Sequence, residues 1–259
     1  MIAKMNNSIF IRKPNLPINT VSSVIASAQY SSRIGELSRM GISIIKIPPT
    51  IDVIGAEKYH ADISMIHIGG NNIIVAKNNQ YLTDILISSG FNVKLSYSEI
   101  SGAYPKCTAL NALVLNKVLI CRSKSLDLEL YNYCTKNNLR IINVNQGYTR
   151  CSVAVVAENA IITSDTGIYN ACIENKIDAL KIDAGYIEID GYDYGFIGGT
   201  CGKLSNDILA FCGRVEYHKD FEKMKAFALN YGVRLLSLSN DILFDIGGIL
   251  PVIEKNQSI

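Results

Sequence analysis

Tryptophan is absent from the 259 residues, only three histidines occur, and no Cys-x-x-Cys pair is present. Scarce histidine and unpaired thiols remove the ligand spacing by which structural zinc sites are read, so no metal or other cofactor is expected. No uninterrupted apolar run reaches 18 residues, which excludes a bilayer-spanning helix. An excess of one charge is missing too, since 25 Lys and Arg against 23 Asp and Glu leave +2. Basic stripes interleaved with aromatics do not occur, so neither a nucleic-acid nor a membrane-surface partner is expected. Residues 1–10 contain Lys4 but no apolar stretch of the secretory type. With seven cysteines, an odd number, the expectation is a cytoplasmic protein with reduced thiols.

What is present is apolar content and periodicity. The hydrophobic fraction is 48%, enough for a full core without staples. Five stretches read as a helix, a Gly or Asn breaker, then a short apolar strand, with the breakers at Gly41, Gly90, Asn138, Asn175 and Gly232. A left-handed residue just past a helix ends it and releases the chain into a strand. A second marker is a short apolar run beginning at Ile73, Val118, Ala160, Ile208 and Leu250, positions 45, 42, 48 and 42 residues apart. Each run follows another short strand, with an expected strand pair at residues 244–254. Two markers of similar period, out of phase, predict an α/β protein built of repeated modules. The N-terminal segment has a strand, helix and strand without a preceding pair, and the C-terminus has a pair without a following helix. Joining the ends completes a fifth module, so the expected fold is a closed five-module αβ propeller in which terminal strands latch the ring and hide its edges. No Pro- or Gly-rich linker divides the chain, and one domain over residues 1–259 is expected.

This layout, opening on a strand that reads FIRKP at residues 10–14, resembles the pentein fold of the guanidino-group-modifying enzyme superfamily. That superfamily includes dimethylarginine dimethylaminohydrolase, arginine and agmatine deiminases and amidinotransferases, and a ribosome anti-association factor shares its fold. The most specific local likeness is residues 59–68, YHADISMIHI. It stands where those enzymes place a turn whose aspartate holds the substrate guanidinium, which implies that role for Asp62. The resemblance also implies a nucleophilic Cys in the last module and a His in the third. The matching segments here, DIGGILPV at 245–252 and GYTRCS at 147–152, contain no Cys and no His respectively. Attack at an amidine carbon needs a thiolate and an imidazole, so the superfamily's mechanism does not transfer position by position.

In a pseudo-symmetric ring the starts of the inner strands converge on the axis. Those positions hold His60, Asp62, Cys107, Cys151, Cys201 and Asp245. Among the thiols Cys201 is the expected nucleophile, because residues 197–203 (IGGTCGK) combine close backbone approach with a lysine able to stabilise a thiolate. His60, two residues from Asp62, is the expected base if the segment is extended. Asp62 and Asp245 suit a cationic amidine or amine, and Cys107 and Cys151 complete the expected substrate pocket. Each of these also has a plain structural reading: Cys is compact at crowded strand starts, and Asp caps turns. His67 reads as a core residue, and His218 as a loop residue before a helix capped by Asp220. Two function classes follow. One is a cysteine-dependent amidino-hydrolase acting on a small polar or cationic ligand. The other is a non-catalytic binding protein using the ring surface for a protein or ribosomal partner. A solvent-reachable polar pocket favours the first, and a channel plugged by residues such as Pro251 the second. The residues leave open whether the protein is an enzyme, which ligand it takes and its oligomeric state.

Overall fold

The computed structural model describes residues 8–256. In chain order, β1 (Ser8–Phe10) and β2 (Val21–Ser27) precede the short α1 (Glu36–Arg39) and β3 (Ser43–Ile47). One turn of helix, α2 (Ala61–Ser64), leads into β4 (Met65–Gly69), β5 (Asn72–Val75), α3 (Gln80–Ser88) and β6 (Asn92–Leu95). Next come β7 (Leu113–Leu115), β8 (Val118–Cys121), α4 (Leu128–Lys136) and β9 (Arg140–Asn143), then β10 (Val153–Ala157), β11 (Ala160–Thr163), α5 (Thr166–Glu174) and β12 (Asp178–Lys181). Last are β13 (Cys201–Ser205), β14 (Ile208–Phe211), α6 (Phe221–Leu229), β15 (Arg234–Ser237) and β16 (Leu250–Lys255). The strands form five separate small sheets. In four of them an antiparallel pair is extended by a parallel third strand that follows the helix. The remaining sheet has the order β1-β16-β2-β3, so the two ends of the chain share it. The strand pair expected at residues 244–254 is a single strand: β16 pairs antiparallel with both β1 and β2, and Phe244 makes only an isolated bridge to Glu188.

Local chemistry accounts for most element ends. Asn79, Asp127 and Asp165 each accept a backbone N–H in the first turn of α3, α4 and α5, satisfying donors that a helix leaves orphaned. Asp220 stands at the same place before α6, yet its carboxylate takes the Asp183 N–H at 2.7 Å and the Lys223 ammonium at 2.7 Å. An expected cap is thereby diverted into a loop tether. Gly41, Gly90, Asn138 and Gly232 have the left-handed backbone expected of breakers, but in the fourth unit that conformation belongs to Lys176. Asn175 instead folds its side-chain amide back onto the Ala171 carbonyl at 2.8 Å.

The sheets bury both faces. On β10, Val153 and Val155 pack with β7, β8 and α5, while Ala154 and Val156 pack with β13, β14 and α6, as the two-residue alternation of a strand requires. Five apolar clusters lie between the sheets. Four join sheets consecutive along the chain, and one joins Leu204 and Ala210 of the β13–β15 sheet to Val21, Val24 and Ala26 of β2. Among the described residues no helix is long and apolar enough to cross a membrane.

Candidate functional site

The segments that precede the inner strands are turns rather than strands, and this decides where their side chains go. His60 has extended backbone and Asp62 lies in α2. The bend between them, not the alternation of a strand, brings their side chains together. Cys107 is in a 3-10 turn, Cys151 lies in a turn just before β10, and Cys201 is the first residue of β13.

His60, Asp62 and Cys151 meet: one donor atom from each lies within 4.8 Å of the others. The Cys151 thiol donates to Asp62 Oδ2 at 3.0 Å. Asn111 donates from Nδ2 to the Cys151 sulfur at 3.1 Å and to the Asp62 backbone carbonyl at 2.9 Å, and its Oδ1 accepts the Arg150 N–H at 2.8 Å. Asn111 thus ties the turn at 150–151 to α2. All three members of the cluster are at most 2% exposed. Burial raises the Asp62 carboxyl to about 6 against the opposing pull of His60 and Arg150. Burial, then the charges of Asp62 and Asp245, push the Cys151 thiol well above its ordinary value. The cysteine therefore rests as a neutral donor. Both His60 ring nitrogens and Asp62 Oδ1 lack a hydrogen-bond partner among the described residues.

Asp245 completes this wall. Its Oδ1 lies 3.8 Å from His60 Nδ1, and its oxygens accept the Phe196 N–H at 2.9 Å and the Gly247 N–H at 3.0 Å. Glycine is required around it. A Cβ on Gly199 would fall 1.8 Å from Asp245 Oδ1, and one on Gly247 would fall 2.3 Å from His60 Cβ. The Gly-rich turn at 247–248 serves here to admit an imidazole rather than to present a thiol.

In front of the wall lies a cavity of about 250 Å³, lined by His60, Cys151 and Asp245 at its base and by Glu57, Tyr148 and Phe196 on its sides. Its mouth is Tyr192, Asp193 and Tyr194; Tyr192 and Tyr194 are 51% and 45% exposed, so the cavity reaches solvent. Glu57 is buried and accepts the hydroxyls of Tyr148 at 2.9 Å and Tyr192 at 2.8 Å. Burial and the Glu57 carboxylate raise Tyr192 to about 12. Behind the cluster is only a void of about 20 Å³ bounded by Asp62, Arg150, Leu250 and Pro251. The Arg150 guanidinium is buried, donating to the carbonyls of Val153 at 3.3 Å and Gly198 at 3.2 Å.

The structure thus gathers His60, Asp62, Cys151 and Asp245, and reaches Cys107 through its sulfur, 3.4 Å from the Tyr148 hydroxyl. Cys201 is not gathered. It is absent from the cavity lining, sits in the apolar cluster with Leu209 and Phe211, and contacts the Gly198 carbonyl at 3.9 Å. Burial pushes its thiol up to about 12. The lysine expected to help it, Lys203, places its ammonium on the Val156 and Asn206 carbonyls, each at 2.7 Å. His67 is buried against the Gly70 carbonyl at 2.8 Å. His218 accepts the Asp220 N–H at 3.0 Å and is not part of the lining. Sequence reasoning did not single out Glu57, Asn111, Tyr148, Arg150 or Tyr192. Tyr148 and Arg150 closely precede Cys151 in the segment compared with the superfamily's histidine region, and that adjacency was the one signal available.

Three solved structures share this fold. The amidinotransferase SxtG from Microseira wollei superposes with a TM-score of 0.55 at 10% identity over 91% of this chain and 96% of its own. The inosamine-phosphate amidinotransferase StrB1 from Streptomyces griseus gives 0.55 at 9% identity over 96% and 97%. Agmatine deiminase from C. jejuni with substrate bound gives 0.55 at 9% identity over 99% of both chains. The fold is therefore the α/β architecture of several small sheets found in the pentein guanidino-modifying enzymes. At the level of sequence the chain belongs to the family of unknown function DUF6873, whose profile matches residues 24–250. No curated protein matches it.

Proposed function

We propose that the cavity binds a small organic cation of the amidine or guanidine class, and that Cys151, with His60, acts on its central carbon. Cys151 here takes the part assigned from sequence to Cys201. Support comes from the solvent-reaching cavity, in which Glu57, Asp193 and Asp245 and four aromatic rings surround a thiol and an unpartnered imidazole. Carboxylates supply charge and bidentate acceptors for a planar cation, and aromatic faces attract it further. The high thiol pKa fits this reading. A cation about 4 Å from a forming thiolate stabilises it by about 4 kcal/mol at an effective dielectric near 20, about a thousandfold in the ionisation constant. Ligand arrival is then what ionises the nucleophile. The thiolate forms a C–S bond, the C–N bond to the leaving amine breaks, and His60 carries the thiol proton to that amine; water entering from the cavity then adds to the same carbon, the C–S bond breaks, and the ureido or amide product leaves with the thiol restored.

The same proposal takes residues 1–259 as one pentein-like domain whose five sheets are modules of a closed ring. The sharing of one sheet by both chain ends and the cluster joining the β13–β15 sheet to β2 support it.

The test is a panel of alkylguanidines and amidines, with binding followed by calorimetry and turnover by mass spectrometry of ureido or amide products and released ammonia. Binding by the wild type, with turnover lost and binding retained in Cys151→Ala, is the expected result. Binding without turnover identifies a non-catalytic binder. Turnover that survives in Cys151→Ala overturns the role of the thiol, and the absence of cation binding overturns the whole reading.

A further inference from the structure

We infer that His60, Asp62 and Cys151 form a binding site for a divalent transition ion of the zinc type. The inference goes beyond the amidine reading: it uses the same cluster but none of that chemistry, and an ion held there withdraws the thiol from use as a nucleophile.

The donor set is one sulfur, one imidazole nitrogen and one carboxylate oxygen, the mixture that borderline-soft divalent ions favour. Tetrahedral bonds of 2.0–2.3 Å place ligand atoms roughly 3.3–3.7 Å apart. The sulfur and Asp62 Oδ2 are already at 3.0 Å, and all three donors lie within 4.8 Å, so side-chain rotations rather than backbone movement close the site. The orphaned atoms mark it independently. A buried imidazole with both nitrogens unpartnered and a buried carboxylate with Oδ1 unpartnered leave polar atoms unsatisfied, at a cost to the fold unless something binds them.

Asp245 supplies the supporting contact. Its Oδ1 lies 3.8 Å from His60 Nδ1, so a small rotation of the ring would bring the Nδ1 hydrogen onto it and leave Nε2 for the ion, the carboxylate–histidine arrangement that orients imidazoles on zinc. Charge also balances. With a thiolate, Asp62, Asp245 and Cys151 carry three negative charges, only one of which the buried Arg150 offsets, and a divalent ion offsets the other two; Glu57, on the side of the cavity, stays available to a cationic ligand. Binding replaces the thiol hydrogen by the ion and releases one proton to solvent. His60 and Cys151 line the cavity, so a small ligand there reaches the ion's remaining coordination position.

The probe is Co2+ added to EDTA-treated full-length protein. One ion per chain is expected by equilibrium dialysis, with a tetrahedral visible band, a thiolate-to-cobalt charge-transfer band in the near ultraviolet, and displacement of both by Zn2+. Cys151→Ser abolishes the charge-transfer band, His60→Gln weakens binding at least tenfold, and Asp245→Asn weakens it about tenfold. Cys201→Ser leaves the spectrum unchanged, and far-UV circular dichroism confirms that each variant is folded. Failure to bind Co2+, or a charge-transfer band that survives Cys151→Ser or vanishes with Cys201→Ser, overturns the site. Calorimetry of guanidines on the metal-free protein separates that outcome from a failure of the amidine reading.

Discussion

Replacing Asp62 by Asn stabilises the metal-free protein at alkaline pH. The Asp62 carboxyl titrates at about 6 in the folded protein against 3.8 as its ordinary value, chiefly because of burial. Between these values the folded state binds more protons than the unfolded one, so this group's contribution to stability is present below pH 3.8 and is lost as pH rises through 6. A difference of 2.2 at 1.36 kcal/mol each gives about 3 kcal/mol of destabilisation at pH 8. Asn escapes ionisation, keeps an oxygen to accept the Cys151 thiol, and places an amide at one position now held by an oxygen. Burying that amide without a partner costs about 1 kcal/mol. The net gain is about 2 kcal/mol at pH 8, roughly 4–8 °C in Tm for a chain of this size, and at pH 4 it disappears or reverses. Thermal and urea unfolding followed by far-UV circular dichroism at both pH values measures it, with His67 cancelling between the two proteins. An Asp62→Asn protein less stable than wild type at pH 8, or an equal difference at both pH values, refutes the claim that the carboxylate is retained against stability.

Three further outcomes are expected. Gly199→Ala displaces the Asp245 carboxylate, whose Oδ1 would stand 1.8 Å from the new Cβ, and loses two charge-assisted bonds, lowering stability by about 3 kcal/mol or more in urea titration. His67 is held neutral by burial with a pKa of about 4 against 6.5, so the unfolded state binds more protons between these values. Stability from this group therefore falls by about 3 kcal/mol as pH drops through that window, and the loss is absent in a His67→Gln protein compared by the same titration. Glu57→Gln keeps acceptors for the hydroxyls of Tyr148 and Tyr192 but removes their charge, and calorimetry should show guanidinium binding weakened about tenfold while a neutral urea analogue is unaffected.

Much of the architecture was legible because its signals are local. The boundary from α3 through Gly90 into β6 rests on a helical period, a residue free to adopt positive φ, and an apolar run, all within a few positions. Where a neighbour competes, local rules fail. Lys176 rather than Asn175 takes the left-handed conformation because the Asn175 side chain is bonded to Ala171, and the Asp220 carboxylate serves the Asp183 amide and the Lys223 ammonium instead of the first-turn amides of its own helix. The site was half legible for the same reason. Cys151 and Cys201 both stand at the entry of an inner strand, but Cys201 begins β13 opposite Phe211 and turns into the core, whereas Cys151 lies in the turn before β10 and faces the cavity. That difference depends on Asn111, forty residues away. Glu57 comes from a single 3-10 turn at Ala56–Tyr59 and Tyr192 from a loop, neither with a periodic signal, and only folding shows that they touch.

Alkylation by a matched pair of reagents tests most directly the proposed selection of a cation by the cavity and its delivery to Cys151. Chloroacetamidine and chloroacetamide carry the same electrophile and differ in the charge of the head group. All seven cysteines are buried, so background labelling of the folded protein is slow. Peptide mapping after brief exposure should place the amidinium reagent on Cys151, faster than the neutral amide and slowed by Glu57→Gln. Equal rates for the two reagents, or first modification at Cys201, would contradict it.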